Sequence, residues 1–323
     1  MMKTVLFNSA RPLGRCENIT AVWNAYDGPK KFLKMGYGDI SAYKQDIIVT
    51  DEFVRRADKP RQTIVMIAHG LTGGKVYGAD QRHGQFNERS CRLTDWYIVS
   101  SEYGIPVART AAGRMPIDQI LPLGMPRTDV YFGKSKGDGG TGFDMFARVY
   151  LYVPTFRSRY NEPRPVPDWE AIDALMEDDE LMVVKRHVNS HTPFLKREMD
   201  HMVEVDNMEP STPYLIDCDV VISDYSSIIF DGYILGRPSV LIVDDMESYL
   251  KLRGMYHEFP DWYSSRRVEV KGNPEGLLEQ CRAACVTGMR GVEKACREKT
   301  AGACDGHSAQ RVADFVKGLA CES

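Results

Sequence analysis

Two histidines stand where a base or an anion ligand would be useful. The first lies in Ile67-Ala68-His69-Gly70-Leu71-Thr72-Gly73-Gly74-Lys75, directly after an apolar run. Imidazole titrates near neutrality, so His69 can take a proton from a hydroxyl. The glycines allow close backbone approach to a ligand, and Thr72 and Lys75 add a hydroxyl and a cation. The spacing fits neither a Walker phosphate loop nor the G-x-G-x-x-G dinucleotide turn. A histidine at a strand end is also commonly a structural hydrogen-bonder, and this motif alone does not choose. The second histidine closes Val184-Lys185-Arg186-His187, three potential cations at the end of another apolar run. Such a set suits a diphosphate. His187 and His191 have helical spacing, but no zincin glutamate follows and the segment reads as a loop, so no metal is expected there.

A third stretch, Ser223-Asp224-Tyr225-Ser226-Ser227, sits where one apolar run hands over to the next. The hydroxyls of Ser226 and Ser227 can cap a helix or hydrogen-bond an anion held at its start, and Ser223 adds a further donor. Both readings stand at this point. Asp224 repels an anion, so it is expected to point away from it and brace the turn through an Asx-type hydrogen bond. Pro154-Thr155-Phe156-Arg157 adds a hydroxyl and a guanidinium after another run. Asp305-Gly306-His307-Ser308-Ala309-Gln310-Arg311 opens a helix with Ser308 and Arg311 near its first turn.

These residues need strands to present them. Thr4–Phe7, Asp46–Thr50, Thr63–Ile67 and Trp96–Val99 read as strands in the first half, and Asn18–Tyr26 as a helix. Val149–Val153, Leu181–Lys185, Val220–Ser223 and Ser239–Val243 read as strands in the second. Ile228–Leu235 reads as a helix stopped by Gly236 and Pro238. Continuous β-branched runs alternating with helices predict parallel sheets covered on both faces. Between the halves, Lys134–Gly142 is rich in glycine and charge, with nothing to bury, and reads as a linker or mobile loop. The expectation is an α/β protein of two facing Rossmann-like domains, residues 1–135 and 146–323, with the last helix, about 307–319, packing back toward the first domain. Open α/β sheets bind ligands at the carboxyl ends of their strands, so the cleft between the two is the expected site of chemistry.

The bulk numbers agree. A chain of 323 residues with 43% apolar and 27% charged residues can bury two ordinary cores. A net charge of −4 argues against nucleic acid as a bulk partner. The start of the chain offers only Val5-Leu6-Phe7 as an apolar run, too short for a secretory signal, and no window approaches the roughly 18 apolar residues of a membrane span. A cytoplasmic location is expected, compatible with peripheral contact at the inner face of the cell membrane. Of eight cysteines, Cys281 and Cys285 lie one helical turn apart, but paired zinc-knuckle spacing is missing. Reduced thiols are expected, with no metal and no cofactor.

Six segments in order resemble the CDP-glycerol glycerophosphotransferase family, which includes the primases and polymerases of wall teichoic acid. Ala68-His69-Gly70 through Lys75 resembles its Trp-His-Gly-Thr-Pro-x-Lys segment. Gly124-Met125-Pro126-Arg127-Thr128-Asp129 resembles Gly-Tyr-Pro-Arg-x-Asp, and Tyr152–Arg157 resembles Tyr-Ala-Pro-Thr-Trp-Arg. Lys185-Arg186-His187 resembles Lys-x-His-Pro. Ser223–Ser227 matches Ser-Asp-Tyr-Ser-Ser, and Asp305-Gly306 with Arg311 resembles Asp-Gly-x-x-x-x-Arg. The resemblance implies the two-domain GT-B architecture and transfer of a polyol phosphate, glycerol or ribitol, from a CDP-activated donor to an acceptor hydroxyl. CMP is released, and a lipid-linked glycan is one class of acceptor. It implies His69 as the base, and His187, Ser226, Ser227 and Arg311 as holders of the donor's phosphates, with Arg157 on the same anion. Arg127 and Asp129 enter as supporting residues. Ala68, Leu71-Thr72 and Val188 depart from the family pattern, mostly on the acceptor side. Two alternatives stay open: a GT-B glycosyltransferase with a nucleotide-sugar donor, and a non-catalytic nucleotide-binding protein.

Overall fold

β-branched runs form parallel strands throughout the computed structural model, which describes residues 2–15, 17–34, 45–51, 62–68, 70–71, 93–111, 115–155, 166–187, 190, 194–253 and 263–321. The first sheet contains β1 (Val5–Ser9), β2 (Lys30–Lys34), β3 (Ile47–Thr50), β4 (Thr63–Ile67), β5 (Trp96–Ile98) and β6 (Ile120–Leu121). Its order is β2-β1-β3-β4-β5-β6, with every pair parallel. Strands β1 and β3 are buried at every position, as expected of strands covered on both faces. Helices α1 (Glu17–Ala25) and α2 (Gly104–Ala111) belong with this sheet.

The second sheet contains β7 (Arg148–Tyr152), β8 (Glu180–Lys185), β9 (Met202–Val205), β10 (Val220–Ser223), β11 (Ser239–Ile242) and β12 (Arg267–Val268). Its order is β12-β11-β10-β7-β8-β9, again all parallel. From β7 the chain winds one way through β8 and β9, then returns to the other side of β7 for β10, β11 and β12. This is the Rossmann strand order, and the reversal falls between β7 and β10. Helices α3 (Trp169–Asp173), α4 (Thr212–Asp217), α5 (Ile228–Ile234), α6 (Met246–Arg253) and α7 (Pro274–Thr287) accompany it, followed by α8 (Gly291–Ala301) and α9 (Ser308–Cys321). The chain divides into two units, Met1–Phe132 with Glu298–Ser323, and Gly133–Arg297. The C-terminal residues, α9 included, therefore belong with the first sheet.

The glycine-rich segment between the halves is not a free linker. Asp217, fully buried at the end of α4, accepts from the backbone N–H groups of Gly137, Gly139 and Thr141 at 2.8–3.0 Å and from the Thr141 hydroxyl at 2.6 Å. A side chain at Gly139 would collide with the Pro213 carbonyl and the Asp217 carboxylate, so glycine lets the loop close onto α4. Lys136 pairs with Asp219 at 2.7 Å and donates to the Phe146 carbonyl. What the segment lacks in apolar side chains it replaces with backbone hydrogen bonds to one buried carboxylate. Burial alone would raise the Asp217 pKa; the four donated hydrogen bonds outweigh it and hold the pKa below the ordinary value.

Candidate functional site

The reversal between β7 and β10 is where an open α/β sheet leaves a crevice for a ligand. Register places Ile222 of β10 level with Tyr152 of β7, and Tyr152 level with Val184 of β8. The segments that follow these strands therefore emerge along one edge: Val153-Pro154-Thr155, Arg186-His187 and Ser223–Ser227.

Ser223, Asp224 and Tyr225 turn inward. The Ser223 hydroxyl is fully buried and donates to the Val153 carbonyl at 2.6 Å. One oxygen of the buried Asp224 carboxylate accepts from the Thr155 N–H at 2.7 Å and from the Tyr225 N–H at 2.6 Å. It ties the end of β10 to the end of β7 and braces the turn. The buried Tyr225 ring stacks on Tyr249, with centroids 4.0 Å apart, and its hydroxyl donates to Asp245 at 2.7 Å. Ser226 and Ser227, by contrast, are partly exposed. Ser226 Oγ accepts weakly from the Ile228 N–H at 3.4 Å, and the Ser227 side chain makes no capping hydrogen bond to α5. Of the three serines, Ser226 and Ser227 stay partly exposed at the turn, and Ser223 is part of the scaffold.

The three cations after β8 separate in the same way. Lys185 is buried and donates to the Asp206 carbonyl at 2.9 Å. Arg186 forms an ion pair with Glu204 and donates to the Ser190 carbonyl at 2.6 Å. His187 is exposed. The expectation that Lys185 and Arg186 offer charge to a diphosphate does not match this arrangement: acceptors on and just after β9 occupy both. Strands β10 and β8 flank β7, so their ends stand about 10 Å apart. Ser226 and Ser227 follow one of these flanking strands and His187 follows the other.

In the first unit, two segments distant in sequence close on each other. The Asp129 carboxylate accepts from the Ser308 N–H at 3.0 Å and the Ala309 N–H at 2.7 Å, capping α9 from outside. Ser308 is fully buried. Arg311 donates Nε–H to the Leu123 carbonyl at 3.0 Å and Nη1 to both Asp305 oxygens at 2.7 and 2.8 Å; Nη2 donates to the Ala303 carbonyl and at 3.5 Å to Ser308 Oγ. Gly124 adopts φ +91°, and a side chain there would collide with Ser308 and the Ala303 carbonyl. Ser308 and Arg311, expected beside the donor, and Asp129, expected as a supporting residue, thus form a latch that fastens α9. Arg311 would have to release Asp305 to grip a phosphate.

Sequence reasoning did not single out Asn18. On the buried face of α1, its amide donates to the Ala68 carbonyl at 3.3 Å and its oxygen accepts from the Arg127 N–H at 3.0 Å. The only signal was a polar residue on an apolar helix face. His69, Thr72, Lys75 and Arg157 lie outside the described residues, as does His191. Among the described residues, no group of three or more His, Cys, Asp or Glu side chains is placed to hold a metal, and no helix is long and apolar enough to cross a membrane. Burial pushes the Cys281 thiol well up and raises that of Cys285 to about 11, so both stay protonated near neutrality.

Comparison with known proteins gives the family and the fold. Residues 40–318 match the model of the family described as CDP-glycerol:poly(glycerophosphate) glycerophosphotransferase. A teichoic acid ribitol-phosphate primase of Bacillus spizizenii is 28% identical over 235 residues, covering 69% of this chain and 59% of the relative. The teichoic acid ribitol-phosphate polymerase TarK of Staphylococcus aureus is 28% identical over 258 residues, covering 70% and 48%. The chain thus spans roughly half the length of these curated relatives. Among solved structures, the wall teichoic acid polymerase TagF superposes with a TM-score of 0.77 at 19% identity, over 99% of this chain and 90% of the other. A UDP-N-acetylglucosamine 2-epimerase from Listeria monocytogenes superposes with a TM-score of 0.61 at 12% identity, over 100% and 98%. At these identities the likeness is one of fold.

Proposed function

We propose a function from one premise: the chain belongs to the CDP-glycerol:poly(glycerophosphate) glycerophosphotransferase family. On this reading it transfers glycerol phosphate or ribitol phosphate from a CDP-activated donor to an acceptor hydroxyl in the synthesis of a teichoic-acid-like polymer. The acceptor oxygen attacks the phosphorus that carries the polyol, the bond from that phosphorus to the CMP oxygen breaks, and CMP leaves. The hydroxyl proton passes to His69. Charge on the departing phosphate is met by His187 and the hydroxyls of Ser226 and Ser227, as donors aimed at developing charge are in other phosphoryl transfers. The two histidines come from different units, and on this reading both serve one donor–acceptor pair. Relatives named for ribitol-phosphate and for glycerol-phosphate transfer both match, so the choice of polyol is left to assay.

The observation that carries the reading is the placement of Ser226 and Ser227 at the strand reversal, across β7 from His187. Purified protein is offered CDP-glycerol, CDP-ribitol and UDP-sugars with release of nucleoside phosphates as the readout. CMP release from a CDP-polyol is expected. His69→Ala and His187→Ala should each abolish it while the far-ultraviolet dichroism and thermal midpoint stay those of the parent. Near-normal turnover in both variants overturns the mechanism, and release of UDP alone replaces polyol-phosphate transfer with sugar transfer.

A further inference from the structure

Lys185, Arg186 and His187 leave β8 as one run, and the first two are turned into the protein. Glu204 of β9 receives the second. Register sets Glu204 level with Val184, one strand over from the segment that presents His187. One Glu204 oxygen takes the Arg186 Nε–H, and the other accepts the backbone N–H groups of both Phe194 and Leu195 at 2.9 Å. The Arg186 and Glu204 side chains are 13% and 11% exposed. Arg186 also donates Nη1 to the Ser190 carbonyl at 2.6 Å, and Asn207 donates to the same oxygen at 3.0 Å. The Ser190 N–H returns to the His187 carbonyl at 2.8 Å, closing a turn on that residue. Phe194 anchors the far end, packing on the second unit's core with its ring 6.1 Å from that of Tyr152. The chain that leaves His187 is therefore fixed at Ser190 by Arg186 and at Phe194–Leu195 by Glu204.

We infer that Glu204, acting through Arg186, is a positioning residue for His187: it fixes the backbone from which the imidazole reaches the donor. The inference rests on the proposed role of His187. A nearly buried ion pair is costly unless its remaining hydrogen-bonding capacity is met. Here three backbone groups meet it, the Ser190 carbonyl and the Phe194 and Leu195 amides, and they belong to the turn of His187 and the chain segment that follows. A pair serving stability alone needs no such connection to the exposed histidine.

The test is Glu204→Gln, which keeps an acceptor oxygen for the Phe194 and Leu195 amides and removes the charge that holds Arg186. Misplacing a reacting group by an ångström from a distance can cost about 100-fold. We expect CMP release from the active CDP-polyol to fall in kcat by about 10- to 100-fold, with KM for the donor changed by less than about threefold. In a His187→Ala background, Glu204→Gln should add no further loss to the residual rate. Independently of turnover, the imidazole resonance of 13C-labelled His187, assigned by its loss in His187→Ala, should shift in Glu204→Gln while the other histidine resonances stay. Arg186→Lys keeps the charge and loses the guanidinium fork; it should show the same kcat-selective loss, and it replaces Glu204→Gln in every readout if that variant does not fold. An unmoved His187 resonance, or unchanged kcat where His187→Ala is inactive, overturns the inference. Normal turnover of His187→Ala overturns the role proposed for His187 instead, and the resonance still decides whether the clamp exists.

Discussion

At the scale of single residues, the stretch from Ser223 to Ser227 divides its work. Three side chains are spent inward: Ser223 on the Val153 carbonyl, Asp224 on two backbone N–H groups and Tyr225 on Asp245. Two serines remain at the surface of the strand edge. The carboxylate is the least expected member beside an anion, and its hydrogen bonds explain it. Without Asp224 the Thr155 and Tyr225 amides would be buried donors lacking this acceptor, a loss that costs about 1–3 kcal/mol. Asp224→Ala should lower the urea midpoint accordingly. It should also weaken donor binding, because the turn carrying Ser226 and Ser227 loses its tie to β7. Asp224→Asn, which keeps one acceptor oxygen, should fall between parent and Ala in both measurements. Unchanged unfolding midpoints for both variants would refute the bracing role.

At the scale of elements, the long β-branched runs were legible because each needs no partner to announce itself. Val220–Ser223 and Leu181–Lys185 are buried along their whole length. The strands that went unread are short, polar or both. Strand β2 is Lys-Lys-Phe-Leu-Lys on a sheet edge, where lysines discourage further pairing, and β6 and β12 have two residues each. Missing β9 had a consequence for the site. With no strand expected there, nothing supplied acceptors for Lys185 and Arg186, and both looked available to a phosphate. The glycine-rich segment misled for a related reason, since its partner Asp217 lies 76–80 residues further on in the chain. The Asp129 latch is a long-range device of the same kind, joining residues 179 and 180 positions apart. Removing a helix cap costs about 0.5–2 kcal/mol. In Asp129→Ala, amide exchange at Ser308 and Ala309 should speed up selectively, while amides of β7 and β8 in the other unit keep their protection. Equal loss of protection in both units would contradict a latch confined to the first.

At the scale of the whole molecule, pH response depends on a cluster at the opposite edge of the second sheet from His187. Glu180 opens β8 and is fully buried. Arg282 grips it at 2.9 and 2.7 Å, the Tyr150 hydroxyl donates at 2.6 Å, and the Glu177 N–H donates at 3.0 Å. Burial alone would raise this carboxyl; the Arg282 and Tyr150 hydrogen bonds, with the Glu177 amide, outweigh it and bring the pKa from 4.5 down to about 2. A carboxyl whose folded pKa is depressed stabilises the fold fully above its unfolded value, and that contribution drains away as pH falls through the folded value. For Glu180 the window runs from about 4.5 down to about 2. Tyr150 shifts the other way: burial and its hydrogen bond to Glu180 raise the phenol, so its contribution holds below its ordinary pKa of 10.0 and is lost as pH climbs beyond. Glu180→Gln keeps an acceptor for Tyr150 but loses the charge that Arg282 grips. The variant should be clearly less stable than the parent in urea near pH 7, and the gap should narrow at about pH 3 as protons begin to neutralise the parent's carboxylate. A gap of the same size at both pH values would mean that Glu180 does not hold its charge in the folded protein. The acid limit of the second unit would then have to come from other carboxylates, with Asp217, whose pKa is also depressed, the next to replace.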